Sequence, residues 1–373
     1  MTDVETRLAP IPVPRLPAPV DTPAVVVDRA RLEGNIARLQ AELDRRGVAL
    51  RPHAKTHKSV RVAQLQLEGG ARGIAVGTLG EAEVFAAAGI RDLFVAYPVW
   101  ADGPKAGRLR ELHDAADLRV GVDSAAGAAR LAAAVAGSRK RLTVLVEIDS
   151  GLHRTGVADP AEAAVVAEAA RRGGLVVAGV FTHGGHSYRP GRRAEVGAQE
   201  VASLEAAAAA LESAGFEVET ISAGSTPTML EAAKGRVNEI RAGTYVLGDR
   251  QQWALGTIPP EGVAVFVAAT VVSEAPGQVV LDAGAKSLTK DRAEWLDGFG
   301  LMPAYPAGVI AWLNDYHGVV RFPAGAPRPA LGEVVAIAPN HVCPVIDLFD
   351  VFWVVAEDGS AERWPVDARG RSG

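Results

Sequence analysis

The first two-thirds of the chain alternates short apolar runs with Ala-rich helical patterns. Between residues 47 and 246 the runs predict eight strands, at 47–51, 73–76, 92–96, 119–122, 142–148, 175–181, 220–222 and 238–246. Helical stretches such as 160–172 and 194–214 separate most of them. Eight strands with intervening helices over this length are typical of a (β/α)8 barrel rather than an open doubly wound sheet. We therefore predict an α/β fold built on a TIM-type barrel.

Two parts of the chain fall outside this repeat. A ninth apolar run, 22–28, precedes the first predicted helix, and the pattern alone does not say which of the nine strands lies outside the barrel. After Gly248 the chain has little helical periodicity, and Pro and Gly separate short β-rich runs at 263–273, 278–282, 318–322, 333–338 and 350–356. These runs predict a second, C-terminal all-β domain.

Charge and composition exclude several partner classes. The 373 residues carry a net charge of −5, which gives no electrostatic reason to expect nucleic acid or an anionic membrane as partner. No apolar run approaches the roughly 20 residues of a membrane span. The start, 1–19, has five prolines and no apolar core, so we do not expect a signal peptide. A single cysteine excludes an internal disulfide, and we predict a cytoplasmic protein.

A basic segment follows the first predicted barrel strand. Residues 50–58 read Leu-Arg-Pro-His-Ala-Lys-Thr-His-Lys, and a helical pattern follows. Lys55 is predicted to lie just past the carboxyl end of the strand, where barrel enzymes have their active sites. An uncharged lysine forms a Schiff base with an aldehyde, and Arg51, Lys58 and two histidines are expected to disfavour its charged form. A basic loop on a solvated surface fits the same spacing.

Polar clusters also follow three later strands. They occupy 147–156, 182–188 and 222–228, after the fifth, sixth and seventh predicted strands. The last combines small residues, hydroxyls and backbone N–H groups, as phosphate loops late in a barrel do, although Gly-Ser-Thr-Pro also makes an ordinary turn. A reactive lysine after one strand and a phosphate loop after another predict a phosphorylated aldehyde, pyridoxal 5′-phosphate, at the barrel mouth.

Three motifs carry a family resemblance. They are Pro-His-Ala-Lys-Thr-His-Lys at 52–58, Asp-Ser-Gly with Arg-Thr-Gly over 149–156, and Gly-Ser-Thr-Pro at 224–227. Together they resemble the D-serine dehydratase / D-threonine aldolase family, which are alanine-racemase-like (fold type III) pyridoxal-phosphate enzymes. The likeness runs from Asp21 to Arg369. Asp347 and Tyr316 depart from the family pattern, which often has Asn and an acidic residue there.

The resemblance implies a role for each predicted site residue. Lys55 becomes the Schiff-base lysine, Arg154 contacts the cofactor's phenolic oxygen, and Arg241 lies near the pyridine nitrogen. The remaining residues implied for cofactor binding are Ser222, Gly224, Ser225, Thr226, Gly243 and Tyr245. The resemblance also assigns strand 22–28 to the β domain. The implied domains are a barrel over 29–250 and a metal-carrying β domain over 1–28 plus 251–373, assembled as a homodimer.

The predicted β domain contains a His-x-Cys pair. His341 and Cys343 stand at i and i+2 on a segment predicted to be extended, so their side chains point to one side. Imidazole nitrogen and thiolate suit Zn²⁺, and two protein ligands describe an open site completed by water or substrate. A buried cysteine beside a surface histidine is the alternative that the residues alone leave open. The resemblance implies a divalent metal here, Zn²⁺ with Mn²⁺ or Mg²⁺ as alternatives.

The metal pair bears on the reaction. Dehydratase-like members of the family carry His-x-Cys, and the best-known aldolases carry His-x-Asp, so Cys343 favours elimination from β-hydroxy D-amino acids to a 2-oxo acid and ammonia. The alternative is retro-aldol cleavage to glycine and an aldehyde, with His183 or His186 as base. In the elimination, Lys55 removes the Cα proton. An amino-acid racemase ranks lower because it needs a second base and no metal.

Overall fold

The computed structural model describes residues 8–373; residues 1–7, the start of the predicted Pro-rich segment, lie outside that range. The strands are β1 Ala24–Asp28, β2 Ala49–Leu50, β3 Ile74–Val76, β4 Asp92–Pro98, β5 Asp117–Val122, β6 Thr143–Glu147, β7 Val176–Phe181, β8 Thr220–Ala223, β9 Glu239–Ile240, β10 Val265–Ala275, β11 Gln278–Leu281, β12 Val309–Leu313, β13 Gly318–Arg321, β14 Val334–Ile337, β15 Val351–Val355 and β16 Ala361–Pro365. The helices are α1 Arg29–Arg45, α2 Val60–Glu68, α3 Leu79–Ala87, α4 Pro104–Ala115, α5 Ala125–Ala134, α6 Pro160–Arg172, α7 Arg193–Ser213, α8 Arg250–Ala254, α9 Ala285–Leu288 and α10 Val342–Ile346.

The chain forms two compact units. One consists of residues 39–55, 63–243 and 371–373 and is called here the barrel unit. The other consists, among the described residues, of 8–38, 56–62 and 244–370 and is called the β unit. The start of α1 and the segments 56–62 and 244–250 belong to the β unit, although the predicted barrel range of 29–250 includes them.

The barrel unit is a parallel eight-stranded sheet in the order β2-β9-β8-β7-β6-β5-β4-β3. Its two ends meet where the chain continues past β2. The Ala75 N–H donates to Pro52 O at 2.9 Å, and His53 forms a parallel bridge with Ala75. Pro52 lacks an N–H and cannot continue a regular ladder, which explains why β2 is short. The predicted α/β class with a TIM-type barrel is confirmed.

Local sequence explains the barrel helices. Helix α6 begins where Asp159 caps it, accepting the Ala161 N–H at 2.8 Å with Pro160 at the first helical position, and it ends at Gly173. Its buried face is formed by alanine and valine, including Val166 and Ala170. The predicted range 160–172 is the observed one.

The interior of the barrel contains a buried ion-pair network and an aromatic pair. The fully buried Arg51 guanidinium bonds Glu239 at 2.8 Å and Asp92 at 2.7 Å. Phe94 and Phe181 pack edge to face with ring centroids 5.1 Å apart. Removing one member of a buried ion pair leaves an uncompensated charge, so this network fixes strand positions beneath the barrel mouth.

The β unit is an eight-stranded sheet in the order β12-β13-β11-β10-β1-β15-β16, with β14 also paired to β10. Strand β1 pairs antiparallel with β10 and parallel with β15. The assignment of the predicted strand 22–28 to the β domain therefore agrees with the pairing. The predicted all-β domain is mostly sheet, but it also contains the short helices α8, α9 and α10. Within residues 8–373, none of the helices combines the length and apolar composition of a bilayer span.

Candidate active site

Lys55 lies at the carboxyl-end edge of the barrel. It occupies a 3₁₀ turn, Ala54–Thr56, that follows β2, and its N–H faces His53 Nδ1 at 3.4 Å. Lys55 is the only exposed residue between positions 51 and 59, whereas Ala54, Thr56 and most other neighbours are buried. A rigid, buried turn therefore presents one accessible amine, as Schiff-base chemistry requires.

Arg51 and Lys58, the two cations predicted to act on Lys55, each form an ion pair with a carboxylate. Arg51 points towards Asp92, at the amino end of β4, and is also paired with Glu239. Lys58 Nζ pairs with Asp347 Oδ1 at 2.7 Å. Arg51 and Lys58 each neutralise a carboxylate of their own, so neither stands beside Lys55 as an uncompensated cation.

Asp149 shapes the loop after β6 that carries Arg154. Asp149 Oδ1 accepts the N–H groups of Gly151 and His153 at 2.9 and 3.0 Å, and its Oδ2 lies 2.8 Å from His153 Nδ1. Burial would raise the pKa of Asp149, but these hydrogen bonds outweigh it and lower the pKa. The tight loop leaves Arg154 exposed at the barrel edge.

A buried glutamate ties together the loops after β7 and β8. Glu200, on α7, has no exposed area, and its Oε1 accepts the N–H groups of Gly184 at 2.9 Å and Gly224 at 3.0 Å. Burial raises the pKa of Glu200 to about 7, although the Thr228 hydroxyl and the two glycine N–H groups oppose the rise. Because the Gly224 N–H is already bonded, it is not a free donor for a phosphate.

The loop after β8 otherwise fits a phosphate group. The Ser225 N–H and hydroxyl both bond Thr228 Oγ1, at 3.1 and 3.0 Å, and the Ser225 hydroxyl also contacts Ser187. Thr226 Oγ1 is buried and has no hydrogen-bond partner among the described residues. Gly224 has φ +103°, and a Cβ there would lie 3.2 Å from Ile240. An unpaired hydroxyl in a constrained small-residue loop suits a buried anion.

The pKa of His183 responds to charged residues from several of these loops. Burial lowers the pKa of His183 well below its usual value, and the charges of Lys55, Arg154 and Arg241 lower it further. A hydrogen bond with the Gly224 backbone acts in the opposite direction. The His183 imidazole is therefore neutral.

His186 is held in a defined tautomer. Its Nε2 lies 2.8 Å from Gln199 Oε1, which only accepts, so Nε2 carries the proton. Its Nδ1 is buried and has no hydrogen-bond partner among the described residues. An imidazole with one unpaired lone pair has the form of a general base.

Ser222 and Arg241 are engaged inside the barrel. Ser222 Oγ donates to Glu239 Oε1 at 2.7 Å and accepts from Arg241 at 2.6 Å, and Arg241 also donates to Thr182 O at 2.5 Å. Burial lowers the pKa of Arg241 to about 10, against the charges of Glu239, Glu200 and Glu147. Their contacts favour a role in supporting the barrel, and contact with a cofactor stays a prediction for both.

Gly243 and Tyr245 lie at the point where the chain passes from one unit to the other. Gly243 is the last barrel-unit residue before the β unit begins at Thr244. Tyr245 is 2% exposed and belongs to a 3₁₀ turn, Thr244–Val246, of the β unit. Their predicted roles with the cofactor phosphate are not tested by these contacts and stay predictions.

The His-x-Cys pair lies in the β unit, and its local structure differs from the prediction. His341 has extended backbone, but it caps helix α10, and Cys343 lies in the first turn of that helix. The predicted extended segment is therefore wrong. The side chains nevertheless meet: burial would lower the pKa of His341, but the adjacent Cys343 thiolate and the Asp291 carboxylate outweigh it and raise the pKa to about 11.

Polar groups of the β unit surround this pair. Asp291 Oδ2 lies 2.5 Å from His341 Nδ1, and Thr56 Oγ1 lies 3.3 Å from Cys343 Sγ. The buried Asp249 accepts the Val342 N–H, between the two candidate ligands, at 3.1 Å. Its other oxygen caps α8, and burial raises the pKa of Asp249 to about 6.

The donor set fits a soft divalent metal with open positions. Among residues 8–373, no group of three or more His, Cys, Asp and Glu side chains is arranged around a metal position. His341 and Cys343 would therefore be the protein ligands, with water or substrate completing the site. Imidazole and thiolate are donors that Zn²⁺ prefers, and both must lose their protons to bind it.

Glu200 leads to a prediction about pH. Because its folded-state pKa is raised from 4.5 to about 7, the folded protein binds more protons than the unfolded chain between those values. The free energy of unfolding of cofactor-free protein should therefore fall as pH rises through this window, by up to about 1.4 kcal/mol per pH unit from this residue. Glu200→Gln keeps an oxygen that accepts both glycine N–H groups but does not ionise. The free energy of unfolding of this variant should therefore depend less on pH, as measured by urea unfolding at pH 5 and 8.

The exposed Glu162, replaced by Gln, is the matched control for that measurement. Glu162→Gln should reproduce the pH dependence of the wild type. Glu147 contributes in the same direction, because burial raises its pKa to about 7 as well, so Glu200→Gln should reduce the slope without removing it. Equal slopes in the wild type and Glu200→Gln would contradict the assignment.

Sequence comparison finds relatives of both regions. Residues 27–251 match the family model of the alanine racemase N-terminal domain, and residues 264–355 match a putative serine dehydratase domain. D-threo-3-hydroxyaspartate dehydratase from Delftia sp. (strain HT23) is 37% identical over 372 residues, covering 92% of this chain and 97% of the relative. D-threonine aldolase from Arthrobacter sp is 38% identical over 366 residues, covering 95% of this chain and 94% of the relative.

Structure comparison matches the same dehydratase. A cysteine-to-alanine mutant of the Delftia enzyme, described as the metal-free form, has a TM-score of 0.85 and 35% identity, covering 93% of this chain and 97% of that one. A histidine-to-alanine mutant of that enzyme has a TM-score of 0.86 and the same identity, covering 94% of this chain and 96% of that one. The two mutated positions are two residues apart, as His341 and Cys343 are here.

Proposed function

Because this chain belongs to the alanine racemase-like, fold type III family of pyridoxal phosphate enzymes and is a lyase of that family, we propose that it eliminates water from β-hydroxy D-amino acids, giving a 2-oxo acid and ammonia. The proposed reaction is of the D-serine dehydratase type. It needs pyridoxal 5′-phosphate and a divalent metal, for which Zn²⁺ is proposed ahead of Mn²⁺ or Mg²⁺.

The observation that carries the choice of reaction is the thiol at position 343. Thiolate with imidazole is a softer donor pair than carboxylate with imidazole, and it favours Zn²⁺ over Mn²⁺ or Mg²⁺. Elimination requires the β-hydroxyl to leave, which a strong Lewis acid assists. The contact between Cys343 and His341, together with the equal spacing of the His and Cys positions mutated in the Delftia dehydratase, supports this assignment.

The proposed mechanism assigns distinct tasks to the chain's own residues. When bound, pyridoxal phosphate would supply an electron sink for the carbanion at Cα, and the metal would supply a Lewis acid for the β-hydroxyl. Lys55 Nζ would hold the cofactor and, when not bound to it, would accept the Cα proton. Arg154 would bind the phenolic oxygen, and Thr226 would donate its unpaired hydroxyl to the phosphate. A neutral His183 adds no positive charge to this region.

Retro-aldol cleavage to glycine and an aldehyde is the second candidate. It requires a base for the β-hydroxyl proton, and the unpaired Nδ1 of His186 has the form of one. The similarity to the Arthrobacter D-threonine aldolase supports this reaction as the alternative. An amino-acid racemase is less favoured, because racemisation leaves the His341–Cys343 pair without a task. We further propose a homodimer in the cytoplasm, since fold type III sites are usually completed by a partner subunit.

Product analysis separates the two reactions. Purified protein loaded with pyridoxal phosphate and Zn²⁺ should convert D-serine, D-threonine or D-threo-3-hydroxyaspartate into a 2-oxo acid and ammonia in equal amounts. Glycine and aldehyde are measured in a parallel aliquot and should be minor. The L-enantiomers are the matched control and should remain unchanged, because the D-configuration at Cα is part of the proposal.

Each contrary outcome has a distinct meaning. Glycine with acetaldehyde from D-threonine, and little 2-oxo acid, would replace elimination by the aldolase reaction. Interconversion of D- and L-serine with neither product would point to a racemase. Failure to act on any of the three D-amino acids, with cofactor and metal both bound, would overturn the proposed substrate class.

A further inference from the structure

We propose that Asp291 is a positioning residue for the metal, which orients His341 so that its Nε2 atom is the ligand. This inference rests on the proposed function, because it takes His341 and Cys343 as the metal-binding pair. Sequence patterns gave no reason to select Asp291: it lies 50 residues before His341, in a segment that follows the short helix α9.

The first argument is the geometry of the imidazole. The Asp291 carboxylate only accepts hydrogen bonds when ionised, so at 2.5 Å from Asp291 Oδ2 the Nδ1 atom of His341 carries the proton. His341 Nε2 remains, and the Cys343 thiol also interacts with this side chain. Nε2 and Sγ therefore provide the two donor atoms. A carboxylate on the far nitrogen of a metal-binding histidine fixes its tautomer and ring orientation.

The second argument is the backbone before Asp291. Thr289, which ends helix α9, has φ +62°, a left-handed conformation that is unfavourable for a β-branched residue. Its hydroxyl accepts the Asp291 N–H at 3.2 Å. Strained residues persist where surrounding contacts hold them in place, and they occur preferentially at functional sites. The turn at 289–291 thus directs the Asp291 carboxylate towards His341.

The pair also differs from the other histidine–carboxylate contact near the candidate site. His153 is 82% exposed beside Asp149, four residues away in the same loop. His341 is 32% exposed, and its partner comes from a distant segment. Asp291 therefore holds a partly buried imidazole in one orientation, because rotation of the ring would break the contact between Nδ1 and Asp291 Oδ2.

The test measures metal affinity rather than activity. Zn²⁺ dissociation constants are obtained by competition with a chromophoric chelator on cofactor-loaded protein. Asp291→Ala should weaken Zn²⁺ binding by about 10–100-fold, the usual cost of losing a partner behind a metal ligand. Asp291→Asn, whose amide oxygen still accepts the Nδ1–H, should recover most of the affinity. Glu294→Ala removes an exposed charge three residues away and should bind Zn²⁺ like the wild type.

A second readout identifies the ligand set. Co²⁺-loaded Asp291→Ala should keep the thiolate-to-metal absorption band and the ligand-field spectrum of the wild type, because His341 and Cys343 still bind. Unchanged Zn²⁺ affinity in Asp291→Ala, equal losses in Asp291→Ala and Asp291→Asn, or a changed Co²⁺ spectrum would each overturn the positioning role. A wild-type protein that binds no stoichiometric metal would instead overturn the metal site of the proposed function, and this inference with it.

Discussion

Replacing Lys55 by alanine is expected to abolish turnover of every β-hydroxy D-amino acid and to remove the visible absorbance of protein-linked pyridoxal phosphate. Lys55 is the one exposed residue in an otherwise buried turn at the carboxyl end of β2. In the proposed mechanism it supplies both the covalent anchor and the base for the Cα proton, and base catalysis alone contributes about 10²–10⁴-fold. Activity should therefore fall by more than about 10⁴-fold. Absorbance spectra and turnover of the purified variant are the measurements.

Lys55→Arg is the matched variant, because it keeps the positive charge and cannot form the imine linkage. It should lose activity and the absorbance as completely as Lys55→Ala. Borohydride reduction of the wild type, followed by peptide mapping, should place the reduced cofactor on the peptide that contains Lys55. Cofactor trapped on Lys58, or absorbance that persists in both variants, would assign the anchor to another lysine.

The overall fold is accessible from local patterns because most elements are determined by contiguous residues. Helix α6 has its cap, its proline and its final glycine within one stretch, and the observed bounds are those predicted. The eighth barrel strand was predicted over 238–246, yet β9 covers only Glu239–Ile240. Beyond Ile240 only two more ladder hydrogen bonds form, from the Arg241 N–H to Ala223 O at 2.9 Å and from the His53 N–H to Ala242 O at 3.0 Å. A 3₁₀ turn then begins at Thr244, inside the predicted strand, and the apolar composition of 238–246 does not reveal it.

Two strands of the β unit were not predicted, for a related reason. Strand β12, Val309–Leu313, contains a register shift opposite β13. Strand β16, Ala361–Pro365, carries exposed charged residues and pairs only with β15. Irregular and edge strands bury one face or less, so their sequences lack a clear alternation. Their pairing partners, rather than their own composition, make them strands.

The residues of the candidate site also divide into those that contiguous motifs reveal and those that only folding brings together. Lys55 and the small-residue loop at 224–227 were recognisable because their chemistry lies in contiguous motifs. Glu200 was missed, since on α7 it is one glutamate among alanines and only folding brings it to two glycine N–H groups. Asp291 was missed because its partner lies 50 residues away. The one indication that the sequence offered for Glu200 was an acidic residue on the apolar face of an Ala-rich helix.

The metal pair shows how a correct residue choice can accompany a wrong local structure. A strand at 341–343 would place both side chains on one face, but the chain instead starts helix α10 at this point. His341 precedes the first helical residue, Cys343 lies in the first turn, and Asp249 accepts the intervening Val342 N–H. The two side chains meet through this arrangement, which depends on a residue 93 positions away.

Replacing Cys343 by alanine is expected to remove the metal and turnover while leaving pyridoxal phosphate bound. Only two protein ligands are proposed, so losing one should weaken Zn²⁺ binding by more than the about 100-fold that loss of a supporting partner costs. Lys55 and the loop at 224–227 are unchanged, so the absorbance of the bound cofactor should persist. Metal analysis, cofactor absorbance and turnover after chelation and Zn²⁺ readdition measure the three effects separately.

Cys343→Asp is the informative partner variant, because it replaces the thiolate with a harder carboxylate and keeps the charge. Carboxylate favours Mn²⁺ and Mg²⁺ relative to thiolate, so Mn²⁺ should restore more metal binding to this variant than to Cys343→Ala. If the soft donor determines the reaction, glycine should increase relative to 2-oxo acid when Mn²⁺-loaded Cys343→Asp acts on D-threonine. An unchanged product ratio would mean that the barrel residues, rather than the thiol, select elimination. Full activity of Cys343→Ala under chelation would instead remove the metal from the reaction.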